Sequence, residues 1–442
     1  MKPVKYSKNR MQVPWHEYSV SPAEVAVKDG LLSEKASIIG RVGALVLSCG
    51  ASAWRVRSAM VTVAESLGVT CVAEIGIITV NCTCYAEHDS YTMAISLESI
   101  GINMDKLSRM QKYVARFDSD YSSLGTDENH NILDEISKTP HLYGTAQLAL
   151  AAAFACAGFI FNLGGGLVQI ICVFIAAGCG NLARVLSNKS KLSTMIGVTL
   201  GAVVSCGVYA LTTTAARAMI PGLTSLGEGY IGSVLFLVPG FPFITSVLDF
   251  GKLDMRSGIE RLTYSLIVMA FATMFCWVAA LGFGLDPAIG EGLTLSFGAR
   301  LVLRLIASFI GVVGFSMIFN SPMKMAVFAG VIGAIANTLR LELTDYTSLS
   351  AIICSFLGAF TAGILAGVLV GKTSFPRVGI TIPAVVVAVP GLIMYRAIYY
   401  FGTGEVSEGL TALVKAAAIV FAIGLGILFS RYVTDRRFRH KD

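Results

Sequence analysis

The sequence predicts a polytopic α-helical membrane protein. Ten transmembrane helices form a 5+5 inverted repeat behind an N-terminal cytoplasmic α+β domain. Three observations lead there. The chain is 55% hydrophobic and only 14% charged, with a mean hydropathy of +0.70, less charge than a soluble domain carries. The charge is also uneven: residues 1–143 hold 14 Lys/Arg against 16 Asp/Glu, a net of −2, and residues 144–442 the remaining 20 against 12, a net of +8. Third, two apolar runs are interrupted alike, Gly232–Lys252 by Pro239-Gly240 and Pro242, and Ile382–Phe401 by Pro383 and Pro390-Gly391. A proline inside a helix costs about 3 kcal/mol or more. In a bilayer such a break survives only where protein or a water-filled cavity satisfies the freed backbone groups. Broken helices at matching places in two halves point to a transport site.

In chain order, residues 1–30 are polar and proline-bearing and read as a loose arm. Leu31–Cys49 and Ala53–Leu67 read as helices joined at Gly50. The first has Ile38, Ile39, Val42, Leu45, Val46 and Cys49 on one stripe, and Glu34, Lys35 and Arg41 keep it from spanning a membrane. Val69–Glu74, Ile77–Tyr85 and Tyr91–Leu97 are β-branched and partly alternating, as strands are. Asn103–Phe117 returns to a helical pattern, and residues 118–140 read as an acidic connector. The densest cluster of reactive residue types is Asn81, Cys82, Cys84, Glu87, His88 and Asp89. Its spacing fits no zinc pattern, and Cys82 and Cys84 share a strand face as a plain core would require. His16, His130 and His141 show no convincing partners in the sequence. No nucleophile signature is present, and Gly164-Gly165-Gly166 lacks the Lys-Ser/Thr of a P-loop. The expectation is therefore no enzyme, no metal and no cofactor. No signal peptide is visible, and ten scattered cysteines, six of them in apolar runs, form no disulfide framework.

Ten runs have spanning length: Gly144–Phe161, Leu163–Val185, Leu192–Ala215, Ser225–Phe250, Ile259–Gly284, Gly298–Phe319, Pro322–Leu339, Thr347–Val370, Gly379–Phe401 and Gly409–Phe429. With the first domain in the cytoplasm, fourteen Lys/Arg, from Arg184 and Lys189 through Lys252, Arg256 and Arg377 to Lys441, fall inside. Arg217, Arg300, Arg304 and Arg340 fall at or near the outside. That bias puts both termini in the cytoplasm. The basic excess lies in short loops and the tail, so it is no nucleic-acid footprint. Gly158-Phe159…Phe161-Asn162 in one half matches Gly314-Phe315…Phe319-Asn320 in the other, and Val238-Pro239-Gly240 matches Val389-Pro390-Gly391. Five spans per half is an odd number, so the halves run in opposite senses. The expected organisation is a cytoplasmic domain with its connector at 1–143, membrane repeats at 144–284 and 298–430, and a basic cytoplasmic tail at 431–442.

The order of motifs resembles the threonine/serine exporter family, whose two modules occur fused or as separate subunits. The resemblance rests on Gly50–Gly68 (GASAWRVRSAMVTVAESLG), then Thr92, Ile102-Asn103 and Leu107, then Leu237–Asp249 (LVPGFPFITSVLD) with Gly258-Ile259…Arg261. In the second half it rests on Gly314–Asn320 and the late Val389–Gly391. It covers about Lys35 to Tyr432. Ser52 and Arg57 stand where family members often carry acidic residues, so any role of those carboxylates does not transfer. The resemblance implies an exporter in the plasma (inner) membrane. Its substrate carries a carboxylate, either an amino acid such as serine or threonine or a C4-dicarboxylate.

The residues then suggest a mechanism. Helix N-termini hold anions, and the segments restarting after Pro239-Gly240 and Pro390-Gly391 supply two such ends. Arg396, Arg300 and Arg304 are candidate substrate-binding cations, though all three also suit snorkelling to headgroups. Asn162 and Asn320 are candidates to line the path or cap their helices. With no nucleotide motif, coupling to protons (antiport) is the expected energy source. Glu228 and Asp249 are the candidate carriers, and Asp249 also suits capping a helix end beside Lys252. Two alternatives stand beside amino-acid export. One is dicarboxylate export, which asks for a second cation such as Arg300 or Lys415. The other is a membrane-tethered enzyme or sensor acting through the soluble domain. The oligomeric state stays open, a homo-oligomer included.

Overall fold

The computed structural model describes residues 12–220, 226, 229–285, 293, 295–371, 373 and 375–439. The chain divides into two compact units, Met1–Pro140 with Asp249–Glu260, and His141–Leu248 with Arg261–Asp442.

The first unit is α+β. Helices α1 (Leu32–Ser48) and α2 (Ala53–Ser66) meet at Gly50, whose φ of +88° suits glycine. Strands β1 (Thr70–Ile75), β2 (Thr79–Ala86) and β3 (Asp89–Ser96) make an antiparallel sheet in the order β1-β2-β3. Val80, Cys82 and Cys84 of β2 and Met93 and Ile95 of β3 are buried. Gly40 of α1 leaves room for that face, since a Cβ there would sit 2.9 Å from Ile95 Cδ1. Cys82 is thus a core residue, and burial pushes its thiol up to about 12. Among the described residues no group of three or more His, Cys, Asp or Glu is placed to hold a metal. Helix α3 (Met104–Ala115) is capped by Asn103, whose Oδ1 accepts from Lys106 N at 3.0 Å.

Two expectations fail in this unit. The acidic connector contains helix α4 (Thr126–Lys138). Its buried stripe is Thr126, Asn129, His130 and Leu133, a helical spacing built mostly from polar types. Residues 12–30 of the expected loose arm pack into the unit. Val27 is fully buried, and Glu34, read as an interruption of α1, accepts from Val20 N, Ser21 N, Ser21 Oγ and Leu31 N at 2.6–3.0 Å. Burial raises the Glu34 pKa, but the bonds from Ser21, Leu31 and Val20 outweigh it and hold the carboxyl below its usual value.

In the second unit the helices are α5 (Thr145–Asn162), α6 (Leu167–Lys189), α7 (Thr194–Met219), α8 (Gly229–Ser233), α9 (Gly240–Phe250), α10 (Met255–Phe283), α11 (Phe297–Ile318), α12 (Met323–Tyr346), α13 (Ala351–Val370), α14 (Arg377–Val386), α15 (Gly391–Thr403), α16 (Val406–Thr434) and α17 (Arg436–Arg439); α9 and α10 begin or end in the first unit. Among the described residues eight helices are long and apolar enough to cross a membrane. They become nine if α14 and α15, bent by 51°, count as one span. The run read as 225–250 is not one continuous helix: α8, a 3₁₀ turn at Leu235–Leu237 and α9 follow one another, with an apolar stretch of only Leu235–Phe250. Helices α5 and α11 cross closely through glycine. A Cβ at Gly158 would lie 2.6 Å from the Ala307 carbonyl oxygen, and one at Gly314 2.5 Å from that of Ala151. Small residues permit such approach in membranes.

Candidate functional site

Both halves break their helix in the same way. Proline has no N–H, so the ladder is interrupted, and the next glycine turns its N–H back on the valine before the proline. Gly240 N donates to Val238 O at 2.8 Å, and Gly391 N to Val389 O at 2.8 Å. Helical bonding resumes with Phe243 N to Pro239 O at 3.2 Å and Met394 N to Pro390 O at 3.0 Å. The breaks touch. A Cβ on Gly240 would overlap Val386 Cγ2 and lie 3.3 Å from Val389 Cγ2; one on Gly391 would lie 2.7 Å from Leu235 Cδ2 and 2.8 Å from Val238 Cγ2. The partners correspond at one offset of 151 residues: 235 to 386, 238 to 389 and 240 to 391.

A buried tyrosine pair ties the two broken runs together. Tyr230 and Tyr395 share a hydrogen bond at 2.8 Å, both almost fully buried. Beside them Tyr209 Oη and Gln169 Nε2 both donate to the Leu226 carbonyl, at 2.8 and 2.7 Å.

Asn162, Arg300 and Arg304 come together around a separate cavity of about 420 Å³, which Asp345 also lines. Arg304 is only 9% exposed, with Nη1 2.7 Å from Glu342 Oε1 and Nη2 2.5 Å from Asp345 Oδ2. Asn162 Nδ2 donates to Ser308 Oγ at 3.1 Å, and its buried Oδ1 has no hydrogen-bond partner among the described residues.

A family model for the threonine/serine exporter matches residues 37–284, and a second, "Threonine/Serine exporter, ThrE", matches residues 304–433. The chain belongs to the threonine/serine exporter family. It is 24% identical over 409 residues to a "Probable threonine/serine exporter" of Mycobacterium tuberculosis, covering 89% of this chain and 75% of that protein. It is 21% identical over 347 residues to the "Threonine/serine exporter" of Corynebacterium glutamicum, covering 76% and 68%. It is also 28% identical over 191 residues to "Pheromone-regulated membrane protein 10" of Saccharomyces cerevisiae, covering 42% and 45%. No solved structure matches the chain. The exporter is thus a multi-pass membrane transporter of the fused two-module form and not an enzyme.

The other expected site residues of the exporter fall elsewhere. Asn320 adopts a left-handed φ of +55° just after α11, and its Oδ1 accepts from Leu142 N at 2.9 Å. Arg396 is half-buried on α15, next to Tyr395. Arg300, at the cavity already described, is half-buried on α11. Glu228 lies outside the described residues.

Asp249 is fully buried and belongs to the first unit. Its Oδ1 accepts from Ala53 N in the first turn of α2 at 3.0 Å, and its Oδ2 accepts from Ser257 Oγ at 3.0 Å. The segment 249–260 is held by further polar contacts. Arg57 pairs with Asp254, Ile77 N donates to Glu260 Oε2 at 2.6 Å, and Arg256 bridges Glu74 at 2.7 Å and Glu260 at 3.1 Å. The bond from Arg256 holds the Glu74 carboxyl below its usual range.

Two polar groups in the second unit escaped the sequence reading, which counted Arg184 and Arg340 as bases at the two membrane faces. Both lie inside helices, each bound through Nε to an asparagine one turn earlier: Arg184 to Asn181 Oδ1 at 3.0 Å and Arg340 to Asn337 Oδ1 at 3.1 Å. The recurring Asn-x-x-Arg, 156 residues apart, was the available signal.

Proposed function

We propose that the chain is a secondary active exporter of small amino acids of the threonine/serine type, binding the substrate carboxylate where its two Pro-Gly-broken helices meet. It sits in the plasma (inner) membrane with both termini cytoplasmic, the 1–143 domain inside, and exchanges substrate against protons. The supporting observation is the reciprocal contact of the breaks, Gly240 on Val386 and Val389, Gly391 on Leu235 and Val238. Partners exchanged at one offset are what a two-fold relation between halves produces, so the contact favours the 5+5 inverted repeat, the arrangement in which transporters place substrate at broken helices. Asp249 is the described candidate for the proton. Protonation would remove an acceptor from Ala53 N or Ser257 Oγ, so proton binding would act on the end of the broken helix. The dicarboxylate alternative asks for a second cation such as Arg300 or Lys415; Arg304 is already held by Glu342 and Asp345.

Counterflow in proteoliposomes, with labelled serine against a panel of amino and dicarboxylic acids and with an imposed pH gradient, tests this. Serine and threonine are expected to exchange and a proton gradient to drive uphill movement. Arg396→Ala and Asp249→Asn should each abolish efflux while the protein stays in the membrane. Exchange of dicarboxylates alone, or normal efflux by both variants, would remove the corresponding part of the proposal.

A further inference from the structure

Among the described residues, five arginines are seen against a carboxylate: Arg41 on Asp134, Arg57 on Asp254, Arg109 on Asp105, Arg256 on Glu74, Arg304 on Glu342 and Asp345. Arg184 and Arg340 do not. Each gives its Nε to the amide oxygen of an asparagine, and among the described residues neither Nη of either arginine has a hydrogen-bond partner. The asparagines are themselves fixed, Asn181 Nδ2 donating to Leu148 O at 2.7 Å and Asn337 Nδ2 to Ser308 Oγ at 2.9 Å. Both arginine stems lie against a glycine of the next helix. A Cβ at Gly201 would be 3.6 Å from Arg184 Cβ and 3.5 Å from Gly180 O; one at Gly358 would be 3.0 Å from both Arg340 Cβ and Ala336 O. The same device is therefore built twice, 181 to 337 and 184 to 340.

The first copy adjoins the break. The Arg184 guanidinium carbon stands 5.5 Å from the centre of the Phe236 ring, two residues before Val238-Pro239-Gly240, and Leu237 Cδ2 lies 3.2 Å from where a Gly201 Cβ would be. A cation inside an apolar helix with no counter-charge is costly, and an anion brought to it recovers that cost. A fixed guanidinium with both Nη groups open is the group best shaped for two parallel bonds to a carboxylate. The neutral amide explains why asparagine holds it: an aspartate at 181 or 337 would orient the arginine equally well but cancel the charge.

We infer that Arg184, oriented by Asn181 beside the first break, takes the carboxylate of the transported amino acid, and that Arg340, oriented by Asn337, is its counterpart in the second half. This rests on the exporter reading above and names the group that holds the substrate's charge. Two arginines that merely anchor helix ends to headgroups would tolerate lysine.

The test is binding of labelled L-serine to the purified full-length protein in detergent, with L-serinamide and succinate as competitors, for the parent and for Arg184→Lys, Arg340→Lys and Asn181→Asp. The parent is expected to bind serine, with serinamide unable to compete. Arg184→Lys and Asn181→Asp should weaken binding about tenfold or more, the scale of one lost bidentate contact, while eluting as the parent does on size exclusion. Serine binding of parental affinity in both variants overturns the inference and leaves the exporter reading standing. Succinate binding that depends on Arg184, without serine binding, supports the carboxylate role and overturns the amino-acid reading. No binding of either by the parent overturns both.

Discussion

The contact between the breaks can be broken and repaired by design. Gly240→Ala places a methyl group onto Val386 Cγ2 and within 3.3 Å of Val389 Cγ2, where carbon pairs prefer about 3.5–4.0 Å. Val386 is 6% exposed and ends α14, and a β-branched side chain in a helix has little rotamer freedom. The overlap is therefore not relieved by a turn of Val386, and overpacking of this kind costs about 1–3 kcal/mol. Val386→Ala alone removes two methyl groups, about 1.6 kcal/mol by transfer. It also removes the atom that Gly240→Ala would meet. The double variant should thus be more stable than the sum of the singles by about 1–2 kcal/mol, well beyond the few tenths expected of independent sites. Thermal unfolding of the detergent-solubilised protein, followed by loss of the monodisperse peak on size exclusion after heating, reads this as a partial recovery of melting temperature. The mirror experiment uses Gly391→Ala, whose Cβ would lie 2.7 Å from Leu235 Cδ2 and 2.8 Å from Val238 Cγ2, with Leu235→Ala and Val238→Ala. Additive effects in both cycles would mean that the breaks do not touch.

Two further predictions concern charge. His130 is buried against Ser37 and Arg41, with His16, Asp127 and Asp134 nearby; burial first, then Arg41 and His16, pushes its pKa down to about 3. Below the ordinary histidine value the unfolded chain takes up a proton that the folded one refuses. The stability of the first unit should therefore fall as pH drops below about 6.5, by about 2 kcal/mol at pH 5. Asp127, held low by His16, and Asp134, held low by Lys138 and Arg41, add loss of the same sign at lower pH. Hydrogen exchange in peptides from α1 and α4 of the full chain measures this, and unchanged protection from pH 7 to pH 5 would refute it. In the second unit, Glu342→Gln leaves Arg304 short of a partner where Glu342 is 18% exposed, and should cost about 1–3 kcal/mol; Asp345→Asn, at a carboxylate 36% exposed, should cost less. The reverse order of melting temperatures would show that Asp345 is the dominant partner.

What the sequence revealed follows from how each feature is encoded. The breaks were legible because proline and glycine carry backbone information in single letters, and their placement in matching runs needs no knowledge of neighbours. The strands and α1–α3 were legible because their buried faces are apolar. Helix α4 was not, because its stripe is Thr126, Asn129, His130 and Leu133: a satisfied polar core has the right spacing but the wrong composition for a hydrophobic pattern. Glu34 misled for a related reason. A carboxylate with four donors sits in a core at little cost, and its donors, Val20, Ser21 and Leu31, lie in a segment with no pattern of its own. The cavity around Asn162, Arg300, Arg304 and Asp345 draws on the ends of three helices, so no local window contains it. Arg184 and Arg340 were read only as topology signals because a basic residue near the end of an apolar run looks like one. Only the hydrogen bond to the preceding asparagine marks it as a fixed side chain.

The relation between the halves can be pressed further through the one place where the offset changes. It is 156 at the α5–α11 crossing, where Gly158 meets Ala307 O while Gly314 meets Ala151 O, and 156 again at Asn181-Arg184 and Asn337-Arg340. At the breaks it is 151. Between them lie α7 and α13, which start 157 residues apart, at Thr194 and Ala351, and end 151 apart, at Met219 and Val370. Helix α7 is thus six residues longer than α13, about 9 Å at 1.5 Å per residue, which covers the five-residue change of offset. Chance likeness among apolar segments gives no reason for contacts to resume register after a length change, nor for partners to be exchanged on both sides of it. A two-fold relation gives both, since residue i touching j then requires their equivalents to touch in return. Under the proposed inverted repeat, a site on that axis would be reached equally by either half, so opening toward one face and closing toward the other would be the same motion performed by alternate halves.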